Sequence, residues 1–174
     1  MGTRRIPSLD GLRAISIGLV LLSHLEGTPN FFSSSSLAPF GDFGNLGVRI
    51  FFVISGFLIT FLMLDEIEAT GTVSLKQFYL RRTLRIFPAS YAYILFIFLA
   101  SRLGWPTLLP GDLFHAVSYT QNYDRQSSSV VGHLWSLSVE EQFYLLWPAL
   151  VAFFSLRHVT LFAVSALWVA PIPD

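Results

Sequence analysis

The stretch LGVRIFFVISGFLITFLML, residues 46–64, decides what kind of protein this is. It carries one charged side chain, Arg49, and it matches the roughly 20 apolar residues that a helix needs to cross a bilayer. The whole chain agrees, because 53% of its 174 residues are hydrophobic, only 13% are charged, and the mean hydropathy is +0.59. A soluble domain of this composition would expose large apolar patches. The sequence therefore predicts an integral membrane protein.

The charged and sulfur-containing residues exclude several other classes of protein. The 11 basic and 11 acidic residues balance, so no excess of positive charge points to nucleic acid. The chain has no cysteine, which excludes disulfides, thiolate nucleophiles and cysteine-ligated metals within it. The 4 histidines are scattered and none lies four residues from another, so the sequence predicts no metal site.

Further apolar stretches lie on both sides of the first one. They predict spans at 12–25, at 89–103, at 143–154 with an extension back to about residue 138, and from about residue 159 onward. The less apolar stretch 108–119 predicts a re-entrant or interfacial helix instead of a crossing. The expected fold is an all-α, polytopic transmembrane helix bundle of about five spans. Because the chain stops inside an apolar stretch, residues 1–174 are expected to be a truncated, N-terminal portion of a single acyltransferase-type membrane domain, on the resemblance described below.

The distribution of basic residues predicts the orientation in the membrane. Three arginines within the first 13 residues put the N-terminus in the cytoplasm, and the basic segment 65–88 returns to that side. The loop 27–45 has no Lys or Arg, so it is expected outside. If 108–119 does not cross, the segment 127–138 is outside too. The fourth span then starts at the outer interface.

Arg13 and His24 are ionisable residues near the two ends of the first predicted span. They are 11 residues apart, about three helical turns, so they share one face and lie roughly 16 Å apart along the axis. A neutral imidazole near the outer end suits a general base at about pH 7. The alternative is that Arg13 reaches the inner interface and His24 rests at the outer one, with no chemistry.

The segment SLKQFYLRRTLRIFP, residues 74–88, is a basic stretch before the third span. Ser74 and Gln77 fit a capping box, which predicts the start of a helix. On that helix Arg85 is a neighbour of Arg82 at spacing three and of Arg81 at spacing four. Two adjacent guanidiniums suit a phosphate group that they can hold through paired hydrogen bonds. The alternative is a basic helix that only sets topology and binds anionic lipid.

The segment HLWSLSVEEQFYLLWP, residues 133–148, brings two adjacent acids to the start of the fourth span. Ser138 and Glu141 fit a second capping box, so one explanation for Glu141 is that it caps its own helix. The functional hypothesis is that Glu140 or Glu141 orients and polarises a histidine. The predicted topology puts both acids and His24 near the outer interface, which permits such a pair.

Four stretches, in order along the chain, together resemble the acyltransferase-3 family of membrane O-acyltransferases. They are IPSLDGLRAISIGLVLLSH (6–24), GVRIFFVISGFLIT (47–60), FYLRRTLRIFP (78–88) and LWSLSVEEQFYLLWP (134–148). The first contains the family's Arg-x10-His pattern, and the third contains its Arg-x-x-Arg pattern. Arg49 departs from the family, since many relatives carry an acid there, and the family's membrane domain has about twice as many spans.

The resemblance implies an enzyme that transfers an acyl group, expected to be acetyl, from acyl-CoA to a hydroxyl of a carbohydrate or other cell-envelope acceptor in polysaccharide biosynthesis. His24 is then the catalytic histidine, and Glu141 supports it or the acceptor. Arg13 binds or positions the donor, and Arg82 and Arg85 meet the CoA phosphates. Acyl-CoA is a co-substrate, so no cofactor is expected. The implied location is the bacterial plasma membrane.

Two other classes of function are compatible with the same residues. Intramembrane Arg, His and Glu side chains also line the pathway of transporters for polar solutes. A non-catalytic membrane subunit that only docks to a partner would tolerate changes at both His24 and Arg13. Formation of a CoA-dependent product distinguishes the enzyme from both alternatives.

Overall fold

Helices make up most of the described chain, which is residues 7–26 and 43–154 of a computed structural model. The helices are α1 (Pro7–Glu26), α2 (Phe43–Thr70), α3 (Leu75–Arg102), α4 (Asp112–Ser118), α5 (Ser129–Gly132) and α6 (Leu134–Phe153), with a 3-10 turn at Gln121–Tyr123. The described residues contain no strand. The all-α prediction is confirmed.

Three of the described helices, α1, α2 and α3, are long and apolar enough to cross a membrane. They confirm the first three predicted spans, although α2 and α3 have 28 residues each and are longer than predicted. The fourth predicted span corresponds to α6, which has 20 residues but is made less apolar by Glu140, Glu141 and Gln142. Its crossing stays a prediction, and the span predicted from residue 159 lies outside the described residues.

The basic segment, residues 74–88, continues into the third span as one helix. α3 passes through Pro88 without a break, so the arginines stand on the same rod as the apolar span. Ser74 is the N-cap, but its side chain makes no capping hydrogen bond. Its backbone N–H instead donates to Glu66 Oε1 at 2.9 Å, while Gln77 accepts a bond from Arg81. The predicted capping box is therefore wrong, because a carboxylate of the preceding helix takes its place.

α6 begins one turn earlier than the second capping box predicts. Its N-cap is His133, and its first turn contains no acid. Ser138 lies inside the helix, where its hydroxyl donates to the Leu134 carbonyl at 3.0 Å and accepts the Gln121 N–H at 3.2 Å. The capping box of Ser138 and Glu141 is wrong, because the mostly apolar residues before Ser138 continue the helix.

The chain divides into two compact units, Met1–Leu62 and Met63–Asp174. In the first unit, α1 and the first part of α2 approach closely at small residues. A Cβ added to Gly47 would lie 2.6 Å from the Ser16 carbonyl oxygen, and one added to Gly44 would clash with Ser23 Oγ. Such close packing at Gly and Ser is typical of helix pairs in membranes, where van der Waals contact drives association.

In the second unit, α3 supports the shorter helices and α6. A buried apolar cluster joins them through Ile94, Ile97, Ala116, Val131 and Leu134. Three tyrosines of α3 add hydrogen bonds to backbone carbonyls: Tyr79 to Leu145 at 2.8 Å, Tyr91 to Val117 at 3.1 Å and Tyr93 to Val130 at 2.6 Å. These contacts satisfy the polar ends of the rings within apolar surroundings.

α3 and α6 run in opposite directions. Tyr79, near the start of α3, reaches Leu145 in the second half of α6, whereas Ile94 and Ile97 pack with Leu134 at the start of α6. The predicted topology requires this antiparallel order, because the third and fourth spans cross in opposite directions.

The stretch 108–119 contains only a short helix. α4 has 7 residues and is about 10 Å long, too short to cross a bilayer, as predicted. Asp112 at its start is fully buried, and its carboxylate accepts the N–H groups of Leu109 at 2.7 Å and Ser128 at 3.2 Å. Its role is therefore to hold two loops together.

Candidate functional site

α1 carries Arg13 and His24 on one uninterrupted helix, so the predicted shared face is confirmed. Arg13 is partly buried. Its Nη2 donates to Ser55 Oγ at 3.5 Å, and its guanidinium carbon lies 5.8 Å from the centroid of the Phe51 ring. Its Nε is buried and has no hydrogen-bond partner among the described residues. These contacts place the Arg13 side chain between α1 and α2. A side chain that only reached the membrane interface would not make them.

His24 lies in the last turn of α1 and is exposed. A solvent-accessible imidazole can exchange a proton with a hydroxyl group that approaches it, as a general base requires. The structure thus makes His24 accessible, and its catalytic role stays a prediction.

The three arginines of the basic segment have different surroundings. The guanidinium carbon of Arg82 lies 4.4 Å from the centroid of the Tyr144 ring and 5.6 Å from that of Phe78, and the side chain is partly buried. Arg81 and Arg85 are exposed. Residues four apart are neighbours on a helix. The two exposed neighbouring guanidiniums are therefore Arg81 and Arg85, whereas the sequence pointed to Arg82 and Arg85.

Tyr144 connects Arg82 to the acidic pair on α6. Its ring is only 3% exposed, and its hydroxyl donates to Glu140 Oε1 one turn earlier. Glu141 is partly buried, and its charged neighbours are Glu140 and Arg82. Its Oε1 is buried without a hydrogen-bond partner in the part of the chain that the structure describes. A buried polar atom of this kind requires a partner from water or a ligand.

The level of the acidic pair relative to the basic segment differs from the predicted one. The sequence placed the acids at the outer interface and the basic segment at the cytoplasmic side. Tyr144 contacts Arg82, and Leu145 accepts a bond from Tyr79, so the acids lie at the level of the basic segment. The prediction was wrong because α6 starts early, which puts Glu141 about 10 Å into it. The topological reason for pairing Glu141 with His24 is lost, and that pair stays a prediction.

The turn at Gln121–Tyr123 is held against α6 beside Glu141. Gln142 Nε2 donates to the Tyr119 carbonyl and to Asn122 Oδ1, each at 2.9 Å, and Asn122 Nδ2 donates back to Gln142 Oε1 at 3.4 Å. The sequence analysis missed these residues, because an amide pair 20 residues apart leaves no local spacing pattern.

Tyr119 brings a further hydroxyl to this region. Its ring stacks on Phe87 at 5.3 Å, and its hydroxyl has Ser90 and Glu141 as electrostatic neighbours. Burial raises the pKa of the Tyr119 hydroxyl above its ordinary value, and the Glu141 charge raises it further. The group therefore stays protonated and able to donate a hydrogen bond at neutral pH.

Two kinds of chemistry are available from the described side chains. Within residues 7–26 and 43–154, no group of three or more His, Asp and Glu residues could hold a metal ion. The imidazole of His24 and the carboxylate of Glu141 can exchange or accept protons. The guanidiniums of Arg13, Arg81 and Arg85 can bind anionic groups.

Comparison with known proteins gives a match over nearly the whole chain. The acyltransferase-3 family model, described as an acyltransferase domain, matches residues 6–172. The peptidoglycan O-acetyltransferase OatA of Listeria monocytogenes is 38% identical in an alignment of 165 positions, gaps included, that covers 86% of this chain and 24% of the relative. The O-acetyltransferase OatA of Staphylococcus aureus (strain NCTC 8325) is 35% identical in an alignment of 183 positions that covers 94% of this chain and 28% of the relative. The chain thus spans about a quarter of the length of these relatives. No solved structure matches it.

Proposed function

The chain belongs to the acyltransferase-3 family, and from this premise we propose that it forms part of a membrane enzyme that transfers an acetyl group from acetyl-CoA to a hydroxyl group of a cell-envelope carbohydrate. The family match over residues 6–172 carries the proposal. The relatives' names, which specify O-acetyl transfer and in one case peptidoglycan, support the group transferred and the class of acceptor.

The proposed reaction uses His24 as the general base. Its imidazole takes the proton of the acceptor hydroxyl while the hydroxyl oxygen attacks the carbonyl carbon of the thioester. The carbon–sulfur bond then breaks, CoA leaves as a thiolate, and the thiolate recovers the proton from the imidazolium. The products are an acetyl ester and CoA. A positioned base of this kind contributes about 10²- to 10⁴-fold to the rate.

The proposed donor site uses the arginines that can reach a soluble nucleotide. Arg81 and Arg85 are exposed and adjacent, and the positive-inside pattern predicts that they lie on the cytoplasmic side, where acyl-CoA is found. Arg13, with a buried Nε that lacks a partner among the described residues, is suited to hold a carbonyl or anionic group of the donor inside the first unit. Glu141 accepts a hydrogen bond from the acceptor.

The test measures CoA release from acetyl-CoA in membranes that carry the complete product of the gene. Peptidoglycan fragments serve as acceptor, and base-labile acetate on them identifies the ester. We expect His24→Gln to abolish release at matched expression, because glutamine cannot take a proton. His115→Gln is the matched control, since His115 bonds only locally to Thr120 and has no place in the proposed reaction.

Two results would contradict the proposal. If His24→Gln releases CoA as fast as the wild type, His24 is not the base. If the wild type consumes no acetyl-CoA even with native cell-wall extract as acceptor, acyl transfer itself fails. Transport of a polar solute is then the better explanation of the intramembrane charges.

A further inference from the structure

The guanidinium of Arg82 has a specific aromatic partner on another helix. Its carbon lies 4.4 Å from the centroid of the Tyr144 ring, well inside the roughly 6 Å range of a cation–π interaction. Phe78 of its own helix adds a second ring at 5.6 Å. The flat guanidinium can stack on such rings in a way that lysine cannot reproduce. The Arg82 guanidinium is therefore part of the packing contact between α3 and α6.

The Tyr144 side chain has two contacts that hold it in place. The face of its ring packs against the Arg82 guanidinium, and its hydroxyl donates a hydrogen bond to Glu140 Oε1. With the ring 3% exposed, it has little freedom to move. Arg82, Tyr144 and Glu140 therefore form a chain of contacts that runs from α3 to the carboxylate on α6. We call this chain the Arg–Tyr–Glu link.

The Arg–Tyr–Glu link fixes which face of α6 meets α3. Consecutive residues project about 100° apart around a helix. Because Glu140 and Tyr144 occupy the face that meets Arg82, Glu141 lies on an adjacent face. There its Oε1 is buried with no partner in the described chain. Of the two acids, Glu141 is the one placed to accept a hydrogen bond from a substrate.

The electrostatics of Arg82 disfavour a phosphate ligand. Arg82 has Glu141 as a charged neighbour, so this carboxylate offsets part of the Arg82 charge. The same carboxylate repels a phosphate dianion. Arg81 and Arg85 are exposed to solvent, and a nucleotide can reach them without displacing an aromatic contact.

We propose that Arg82 is a positioning residue, which orients Glu141 through the Arg–Tyr–Glu link, and that Arg81 and Arg85 take the donor phosphates. This inference rests on the acyl transfer proposed above. Arg82 thus acts on the acceptor through Glu141, and its loss affects turnover more than donor affinity.

The experiment compares two donors in membranes carrying the complete gene product. Acetyl-CoA has the nucleotide phosphates, whereas S-acetylpantetheine has the same thioester arm without them. We expect Arg82→Gln to lower kcat roughly tenfold or more, by the same factor with both donors. The matched variant Arg85→Gln, one turn along the same helix, should raise the KM for acetyl-CoA and lose this effect with S-acetylpantetheine.

A second pair of variants separates positioning from simple bracing of the two helices. Tyr144→Phe keeps the ring but removes the hydroxyl bond to Glu140, and we expect it to lower kcat. The double variant with Arg82→Gln should have a kcat little lower than that of either single variant, because the effects of substitutions in one network are not additive. Tyr79→Phe is the control, since it removes a bond between the same helices that ends on the Leu145 carbonyl.

Three outcomes would overturn the inference. An Arg82→Gln effect that disappears with S-acetylpantetheine would make Arg82 a phosphate ligand. Equal losses of thermal stability in Arg82→Gln and Tyr79→Phe, with kcat retained, would make it a brace. A wild type inactive with both donors would remove the proposed function and this inference with it, whereas the first two outcomes require an active wild type and affect Arg82 alone.

Discussion

At the scale of single residues, Glu141 is a partly buried acid inside α6. Its burial costs solvation of the charged form, and one carboxylate oxygen lacks a partner in the described chain. Natural proteins keep such groups chiefly where they serve a function. Asp112 is the contrasting case, because its fully buried carboxylate accepts two backbone N–H groups and needs no further role.

We expect Glu141→Gln to lower acetyl transfer at least about tenfold while the thermal unfolding temperature stays the same or rises. Glutamine has nearly the same shape but carries no charge, so the variant removes a desolvation cost together with the carboxylate. Activity and unfolding are measured on the same detergent-purified protein. Glu68→Gln, an exposed change on α2, is the control. Unchanged activity in Glu141→Gln would exclude a chemical role.

At the scale of helices, close packing of α1 on α2 holds Arg13 in place. Gly47 faces the backbone of α1 at a distance that leaves no room for a side chain. The hydrogen bond of Arg13 to Ser55 depends on that approach. In a lipid environment, helix association relies on such contacts because apolar burial gives no advantage over contact with lipid.

A methyl group at Gly47 tests this packing. In Gly47→Ala the new Cβ would lie 2.6 Å from the Ser16 carbonyl oxygen, so the helices must separate. We expect a loss of about 1–3 kcal/mol of stability, the usual cost of overpacking. Gly18→Ala on α1 meets no atom within 4 Å and should be neutral or slightly stabilising. Comparable unfolding temperatures for the two variants would contradict the close contact.

At the scale of the whole molecule, the predicted orientation has a direct test. The 174 residues contain no cysteine, so a single cysteine introduced among them is the only one in this stretch of the chain. We expect a membrane-impermeant thiol reagent to label Ser34→Cys and Gln126→Cys on intact cells. Thr72→Cys, in the turn between α2 and α3, should be labelled only after the membrane is opened.

The pattern of labelling distinguishes two errors. Labelling of Thr72→Cys alone on intact cells would show that the orientation in the membrane is opposite to the predicted one. Protection of Gln126→Cys together with Thr72→Cys would mean that the stretch 108–119 crosses the membrane. Because α4 has only 7 residues, the second result would also contradict its structure.

The sequence by itself determined the helices, the first three spans and the shared face of Arg13 and His24. These follow from hydropathy and helical period, which are properties of residues close together in the chain. The family resemblance was also readable, since it rests on four short motifs in order. Both predicted capping boxes were wrong, because the start of a helix depends on groups outside the local motif. At Ser74 the Glu66 carboxylate accepts the backbone N–H, and at Ser138 the preceding residues continue the helix.

Only the tertiary structure decided which side chains of each motif work together. Arg82 and Arg85 look alike in the sequence, yet one stacks on Tyr144 and the other is exposed. The depth of Glu141 depended on the antiparallel register of α3 and α6, set by contacts such as Tyr79 with Leu145, 66 residues apart. The physical reason is that partners of this kind are chosen by packing between helices, which no local spacing along the chain records.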